Sequence, residues 1–344
     1  MTVVALDAMG GDNGVKATVE GAAALSREDV SIQVLVVGDV DAVNAALRET
    51  RYDPQRLQVV ASRGVIAMDA NPTEALEKNR DCSVLTAARL VKDGDAHALV
   101  SAGHTGATIL ASARTFQRMP GIRRAALASV YPTSQGHGPR GDPFALMLDV
   151  GATVGASAED LVGFALMGSA YSSIVSEIVS PRVALLSNGA EANKGTEAII
   201  DAHRRLKTGP LQFVGNVEGL DIPRGTVDVV VCDGFLGNVV LKMLEGVSDV
   251  VRDVAKQASS KSLQWRLGLG ILAGGLRELK TMTDWKAYGG APLLGFDHVV
   301  IKAHGRSESR AIRNALKVAA KVHTGDLVGR IRDGVKAMRL EDGA

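Results

Sequence analysis

The stretch that decides the fold is Val229–Lys242, VVVCDGFLGNVVLK. A β-branched run ends at Asp233-Gly234, and an amphipathic run begins after Gly237-Asn238. The pattern predicts strand, tight turn, helix. Backbone N–H groups and a helix N-terminus converge at such a turn, which makes it a common place for chemistry. Yet the turn holds no serine and no histidine. Its one cysteine, Cys232, falls inside the apolar run, where a buried and inert thiol is expected. A nucleophile, if this turn belongs to an active site, has to come from elsewhere.

The same alternation continues in both directions. Val3–Leu6, Ile32–Val37, Leu57–Val60, Ala98–Val100, Leu127–Tyr131, Phe144–Val150, Arg182–Ser187, Gln212–Val214 and Val299–Ala303 read as strands. Lys16–Ser26, Val40–Arg48, Pro72–Val91 (with a break near Asp81) and Ser157–Ile178 read as helices. PTSQGHGPRGD, between two strands, is expected to close a hairpin. Strands alternating with helices predict an α/β fold of three layers, a mainly parallel sheet with helices on both faces. No fixed-period repeat or low-complexity linker divides the chain, so residues 1–344 are expected to form one α/β domain.

Composition narrows the function. Hydrophobic residues make up 46% of the 344, enough for a sizeable core. Thirty-nine Lys and Arg against 38 Asp and Glu leave a net charge of +1, so nothing argues for nucleic-acid binding. Two cysteines, Cys82 and Cys232, are too few for a disulfide framework and suit a reducing cytoplasm. No signal peptide and no membrane span is read from the chain.

Seven glycine-rich segments share one character: Asp7–Asp12, Ser101–Ala107, Asp149–Thr153, Asn188–Gly195, Gly215–Gly219, Cys232–Asn238 and Tyr288–Gly295. At the C-terminal edge of a parallel sheet, such turns let backbone amides approach a ligand and favour anions, phosphate above all. Neither GxGxxG nor GxxxxGK[ST] occurs, no GxSxG elbow is present, and the seven histidines show no metal spacing. His104 and His304 stand at loop starts, where they can line a site. No cofactor and no metal is expected.

One stretch departs from the pattern. Lys261–Lys286 holds both tryptophans, Trp265 and Trp285, with Leu269, Ile271 and Leu272 and an excess of cations. It suits an embedded amphipathic helical tip, serving a membrane surface, a dimer interface or both.

ALDAMGGD, SAGHTGA, LLSNGAEANKGTE, FVGNVEGLDI, VVVCDGFLGNVVLK, YGGAPLLG and AHGRSESRAIRNAL together resemble the PlsX family of phosphate acyltransferases, in order from the N-terminus to about Leu316. The resemblance implies transfer of a long-chain acyl group from acyl-(acyl carrier protein) to inorganic phosphate. The acyl phosphate product would feed a downstream membrane acyltransferase of phospholipid synthesis. It also implies an isocitrate-dehydrogenase-like or phosphotransacetylase-like fold, a homodimer and peripheral membrane contact. With phosphate as nucleophile, the protein has only to bind, orient and stabilise.

By the family pattern Lys194 and Asn238 are the catalytic pair, with Asp233 orienting them and Gly234 and Gly237 opening the turn. Asn238 can also be read as a helix cap. Asp7, Gly10, Gly11, Ser101, Gly103, His104, Thr105, Gly106, Asp149, Gly195, Asn216 and His304 complete the expected substrate and phosphate site. His104, Thr153 and Arg306 depart from the residues usual at their places. Competing readings are a phosphotransacetylase-like enzyme acting on acyl-CoA, a nicotinamide-dependent dehydrogenase of similar topology, and a non-enzymatic membrane scaffold. The dehydrogenase lacks its dinucleotide and metal patterns here.

Overall fold

The computed structural model describes residues 1–261, 264, 268, 270–272, 274–275 and 289–341. The elements run β1 (Thr2–Asp7), α1 (Gly14–Glu28), β2 (Ile32–Gly38), α2 (Val40–Arg48), β3 (Leu57–Ala61), α3 (Pro72–Lys78), α4 (Ser83–Lys92), β4 (Ala98–Ser101) and α5 (Thr105–Thr115). They continue with β5 (Ala126–His137), β6 (Asp142–Leu148), α6 (Ala158–Val175), β7 (Val183–Leu186), α7 (Glu197–Lys207), β8 (Phe213–Val217), α8 (Asp221–Arg224), β9 (Val229–Val231) and α9 (Gly234–Lys261). After the tip come β10 (Ala291–Leu294), β11 (Val299–Lys302), α10 (Ser309–Thr324) and α11 (Leu327–Glu341).

The eleven strands among the described residues join one sheet, ordered β3-β2-β1-β4-β11-β10-β5-β6-β9-β7-β8. Its two ends are parallel, and the antiparallel pairings β11-β10, β10-β5 and β5-β6 lie between them. Alternate residues of each strand feed opposite faces, as the pleat requires. Val229 and Val231 enter the core on the face covered by α6, whereas Val230 joins the core of the opposite face, which includes the start of α9. Helices therefore cover both faces, and the three-layer expectation holds.

Two local expectations are corrected, and the expected hairpin is found with a shorter turn. Ala291–Leu294 within YGGAPLLG is a strand in the middle of the sheet, not a strand-end turn; positive-φ glycines at 289, 290 and 295 bracket it. Gly215 and Asn216 lie inside β8, where Val183 pairs with Phe213 but Ala184 pairs with Gly215. The extra residue is a bulge, and Gly215 at φ 106° supplies the conformation it needs. Most of PTSQGHGPRGD is paired strand, leaving Gly138–Gly141 as the turn.

That long hairpin is anchored at the N-terminal ends of β7 and β9. His137 Nδ1 lies 2.7 Å from Asp228 Oδ1, and Arg182 donates to both oxygens of the same carboxylate at 2.9 and 3.1 Å. Burial alone would raise the Asp228 pKa, but the bonds from His137 and Arg182 outweigh it and hold the carboxyl well below its ordinary 3.8. A depressed folded-state pKa gives stability that is present above 3.8 and is lost as pH falls through the lower folded value. Asp228→Asn is therefore expected to cost about 2–3 kcal/mol at neutral pH. The gap from wild type should close as thermal unfolding is repeated at successively lower pH. A gap independent of pH would assign the effect to packing.

Candidate active site

The C-terminal strand ends carry two clusters of loops. In the first half, the loops after β1, β4 and β11 meet. Asp7 and Ser101 are register partners at their strand ends, and the buried Ser101 Oγ donates to Asp7 Oδ2 at 2.7 Å. Gly103 N donates to Ser101 Oγ at 3.1 Å. The β1 and β4 loops touch so closely that a Cβ on Gly10 would stand 2.5 Å from Gly103 Cα. Asp12 N donates to Gly305 O at 2.8 Å, tying in the loop of His304. A Cβ on Gly11 would lie 3.2 Å from the same Gly305 oxygen.

His104 Nδ1 accepts from Ala107 N at 3.2 Å, so this departure from the family residue caps α5 and keeps its Nε2 free to donate. Thr105 and Gly106 form the first turn of that helix. His304 is held below its ordinary imidazole value by desolvation and then by the charge of Lys302.

The second half is organised by Asp149, which is fully buried. Its Oδ1 accepts from Leu127 N, Gly151 N and Ala152 N at 2.9, 3.1 and 3.0 Å, and its Oδ2 from Thr153 N at 2.8 Å. Burial outweighs these bonds and raises its pKa. Asp149 thus shapes the DVGAT loop by turning inward. Thr153 Oγ1 then accepts from Gly234 N at 3.1 Å, docking that loop on the head of α9.

The opening turn differs from its sequence reading. The helix starts at Gly234, and Asp233 Oδ1 caps it by accepting from Leu236 N at 3.0 Å. Asn238 is therefore already inside α9, exposed, with its amide group beside Gly151. Its alternative reading as a cap is withdrawn, because Asp233 fills that place. Gly237 is needed for close approach: a Cβ there would collide with the carbonyl oxygen of Asp149 and come within 2.8 Å of Cys232 Sγ.

Lys194 lies in the loop after β7, and its stem passes Gly189. It is exposed, and its ammonium makes no ion pair with any described residue. Gly195, at φ 99°, follows it, and a Cβ there would lie 3.0 Å from Ser187 Oγ. Asn216 faces inward instead: its Oδ1 is 3.0 Å from His203 Nδ1, and its Nδ2 donates to Glu191 O at 2.9 Å. It supports the Lys194 loop from beneath. Since β9 lies between β6 and β7, the Asn238 helix is flanked by the Asp149 loop on one side and the Lys194 loop on the other.

Cys232 is 3% exposed, and burial followed by the charges of Asp233 and Asp149 pushes its thiol far up. The nearby hydroxyls have no base: Ser187 Oγ donates to Asn188 Oδ1, and Thr153 accepts from a backbone amide. Among the described residues no group of three or more His, Cys, Asp or Glu is placed to hold a metal ion.

The family model described as fatty acid synthesis protein matches residues 2–330. The phosphate acyltransferase of Heliobacterium modesticaldum is 44% identical over 333 residues, covering 96% of this chain and 97% of that one. That of Desulforudis audaxviator is 41% identical over 343 residues, covering 99% and 98%. The chain belongs to the PlsX family of phosphate acyltransferases. As a member it is a transferase. A phosphotransacetylase from Streptococcus pyogenes shares the fold, with a TM-score of 0.63 over 94% of each chain at 16% identity.

One residue at this edge escaped sequence reading. Lys302 closes the apolar run VVIK and is only 6% exposed. A cation ending an otherwise apolar strand was the available signal.

Proposed function

We propose that the enzyme transfers a long-chain acyl group from acyl-(acyl carrier protein) to inorganic phosphate, with phosphate as the nucleophile. A phosphate oxygen attacks the thioester carbonyl carbon, the C–S bond breaks, and the carrier thiol and an acyl phosphate leave. Lys194 neutralises phosphate and the developing oxyanion, and the Asn238 amide donates a hydrogen bond to the same charge. The observation that supports this reading is an exposed lysine in the loop after β7 and an exposed asparagine on the helix after the neighbouring β9, beside a cysteine held as a buried thiol. The family membership supports it. Parallel assays on acyl-carrier protein and acyl-CoA test the donor. Faster turnover on the carrier protein is expected, and equal or faster turnover on acyl-CoA would favour the phosphotransacetylase-like alternative.

The reading includes a homodimer, peripheral membrane contact, and one catalytic domain with an embedded tip at 261–286. Phe235, Val239, Met243, Val247, Val250 and Val254 are 64%, 47%, 60%, 58%, 61% and 60% exposed, at steps of three and four along α9. Such a stripe suits a helix-to-helix seam between two copies. Of the tip residues, Ile271 and Leu272 are 86% and 60% exposed; Trp265, Leu269 and Trp285 lie outside the described residues. No helix among the described residues is long and apolar enough to cross a membrane. Met243→Asp with Val250→Asp is expected to give monomers by light scattering. Charged residues at 269, 271 and 272 are expected to weaken liposome sedimentation while leaving the dimer intact. Loss of the dimer alone would make the tip an oligomer element.

A further inference from the structure

The Lys302 ammonium stands out as a buried cation without a counter-ion in contact. Lys302 pairs in register with Ser101, which pairs with Asp7, so the three side chains form one row on one face at the C-terminal edge. Its Nζ donates to Ala303 O, and it makes no other hydrogen bond and no ion pair with any described residue. An ammonium carries three donors, so two remain open. Asp7 is engaged by Ser101 Oγ and by Met9 N. Burying a cation this way is unfavourable unless a partner completes it. Desolvation accordingly lowers the Lys302 pKa to about 8, although the charges of Asp7 and Asp12 oppose the shift.

Its surroundings fit an anionic partner. In the strand order β3-β2-β1-β4, the chain leaves β1 toward β2 on one side and enters β4 on the other. Ligands of open α/β sheets bind in the crevice at such a switch point, beyond the strand ends. The loops of Gly10, Gly103 and Gly305 meet there, and His304 lies within electrostatic reach of Lys302. Four strand spacings separate β11 from β9, about 19 Å along the sheet edge. At the sheet edge one phosphate does not span that distance, while above it α9 leans toward β11, with Lys242 and Glu245 within electrostatic reach of His304.

We infer that Lys302 is the cation of a second phosphate-group subsite, at the β1/β4 crevice and separate from the Lys194–Asn238 pair. The inference rests on the acyl-transfer reading for its occupant. The separation favours the phosphodiester that tethers the carrier protein's thiol arm over a second inorganic phosphate. Both share the same recognition chemistry, a tetrahedral anion meeting a buried ammonium.

Calorimetric titrations of the full chain with phosphopantetheine and with inorganic phosphate, on wild type, Lys302→Met and Lys302→Arg, test it. Lys302→Met is expected to weaken one of the two ligands about 10–100-fold, with partial recovery in Lys302→Arg. Weakened phosphopantetheine, matched by a raised KM for acyl-carrier protein at little-changed kcat, identifies the tether. Weakened inorganic phosphate alone identifies free phosphate. Unchanged binding of both ligands to Lys302→Met would overturn the subsite. So would a fall in Tm with binding per folded molecule intact, because removing a cation without a partner should leave Tm equal or higher. Absence of phosphate-dependent thiol release in wild type would end the acyl-transfer reading separately, since the titrations need no turnover.

Discussion

Alanine at Lys194 or at Asn238 is expected to lower kcat about 10²–10³-fold, the usual cost of removing one charge-stabilising donor. Both side chains are exposed, so neither substitution opens a cavity, and stability should stay within about 0.5 kcal/mol of wild type. The two losses should differ in kind. On the proposed reading Lys194→Ala removes a charge that meets phosphate in the ground state, so KM for phosphate should rise with it. Asn238→Ala should act on kcat at nearly constant KM, because its hydrogen bond strengthens as charge develops. The double variant should lose less than the product of the single losses, as groups acting on one oxyanion do. Steady-state kinetics with phosphate varied at saturating donor make the measurement. Full activity in Asn238→Ala would remove that residue from the chemistry.

Gly237→Ala should give the largest structural effect. The new methyl group would meet the Asp149 carbonyl oxygen and the Cys232 sulfur, neither of which lies on a mobile surface. Overpacking a close-packed site of this kind costs about 3 kcal/mol. Relief requires α9 to lift from the Asp149 loop, carrying Asn238 with it, so kcat should fall as Tm falls. Gly246→Ala, on the same helix with open space around it within one protomer, is the control, compared at equal dimer content by light scattering because it borders the proposed seam. It should be neutral or gain about 0.5–1 kcal/mol from helix propensity. Equal stability of the two variants, by denaturant unfolding, would contradict the close approach.

The fold was legible wherever periodicity and length agreed. β-branched runs of strand length, separated by helical periods, announce a parallel sheet, and Val229–Val231 is the clearest of them. Legibility failed where a feature depends on partners remote in sequence. Ala291–Leu294 is four residues between glycines, too short to show a period, and it is a strand only because β5 and β11 lie beside it. At the site, the loop inventory could be read, but the direction of each side chain could not. Asp149 and Asn216 look like ligand-facing groups in sequence and turn out to support loops, because buried amides and His203 claim their oxygens. Asp233 takes the cap that the sequence also offered to Asn238, since the cap is decided by where the first backbone amides point.

The central claim is that phosphate itself attacks the thioester, without an acylated protein on the way. Enzyme mixed with stoichiometric acyl-(acyl carrier protein) in phosphate-free buffer should release no burst of thiol, and its intact mass should not change. Adding phosphate should then release thiol in equal amount with acyl groups that hydroxylamine traps. A thiol burst without phosphate, with the enzyme heavier by one acyl group, would contradict the account.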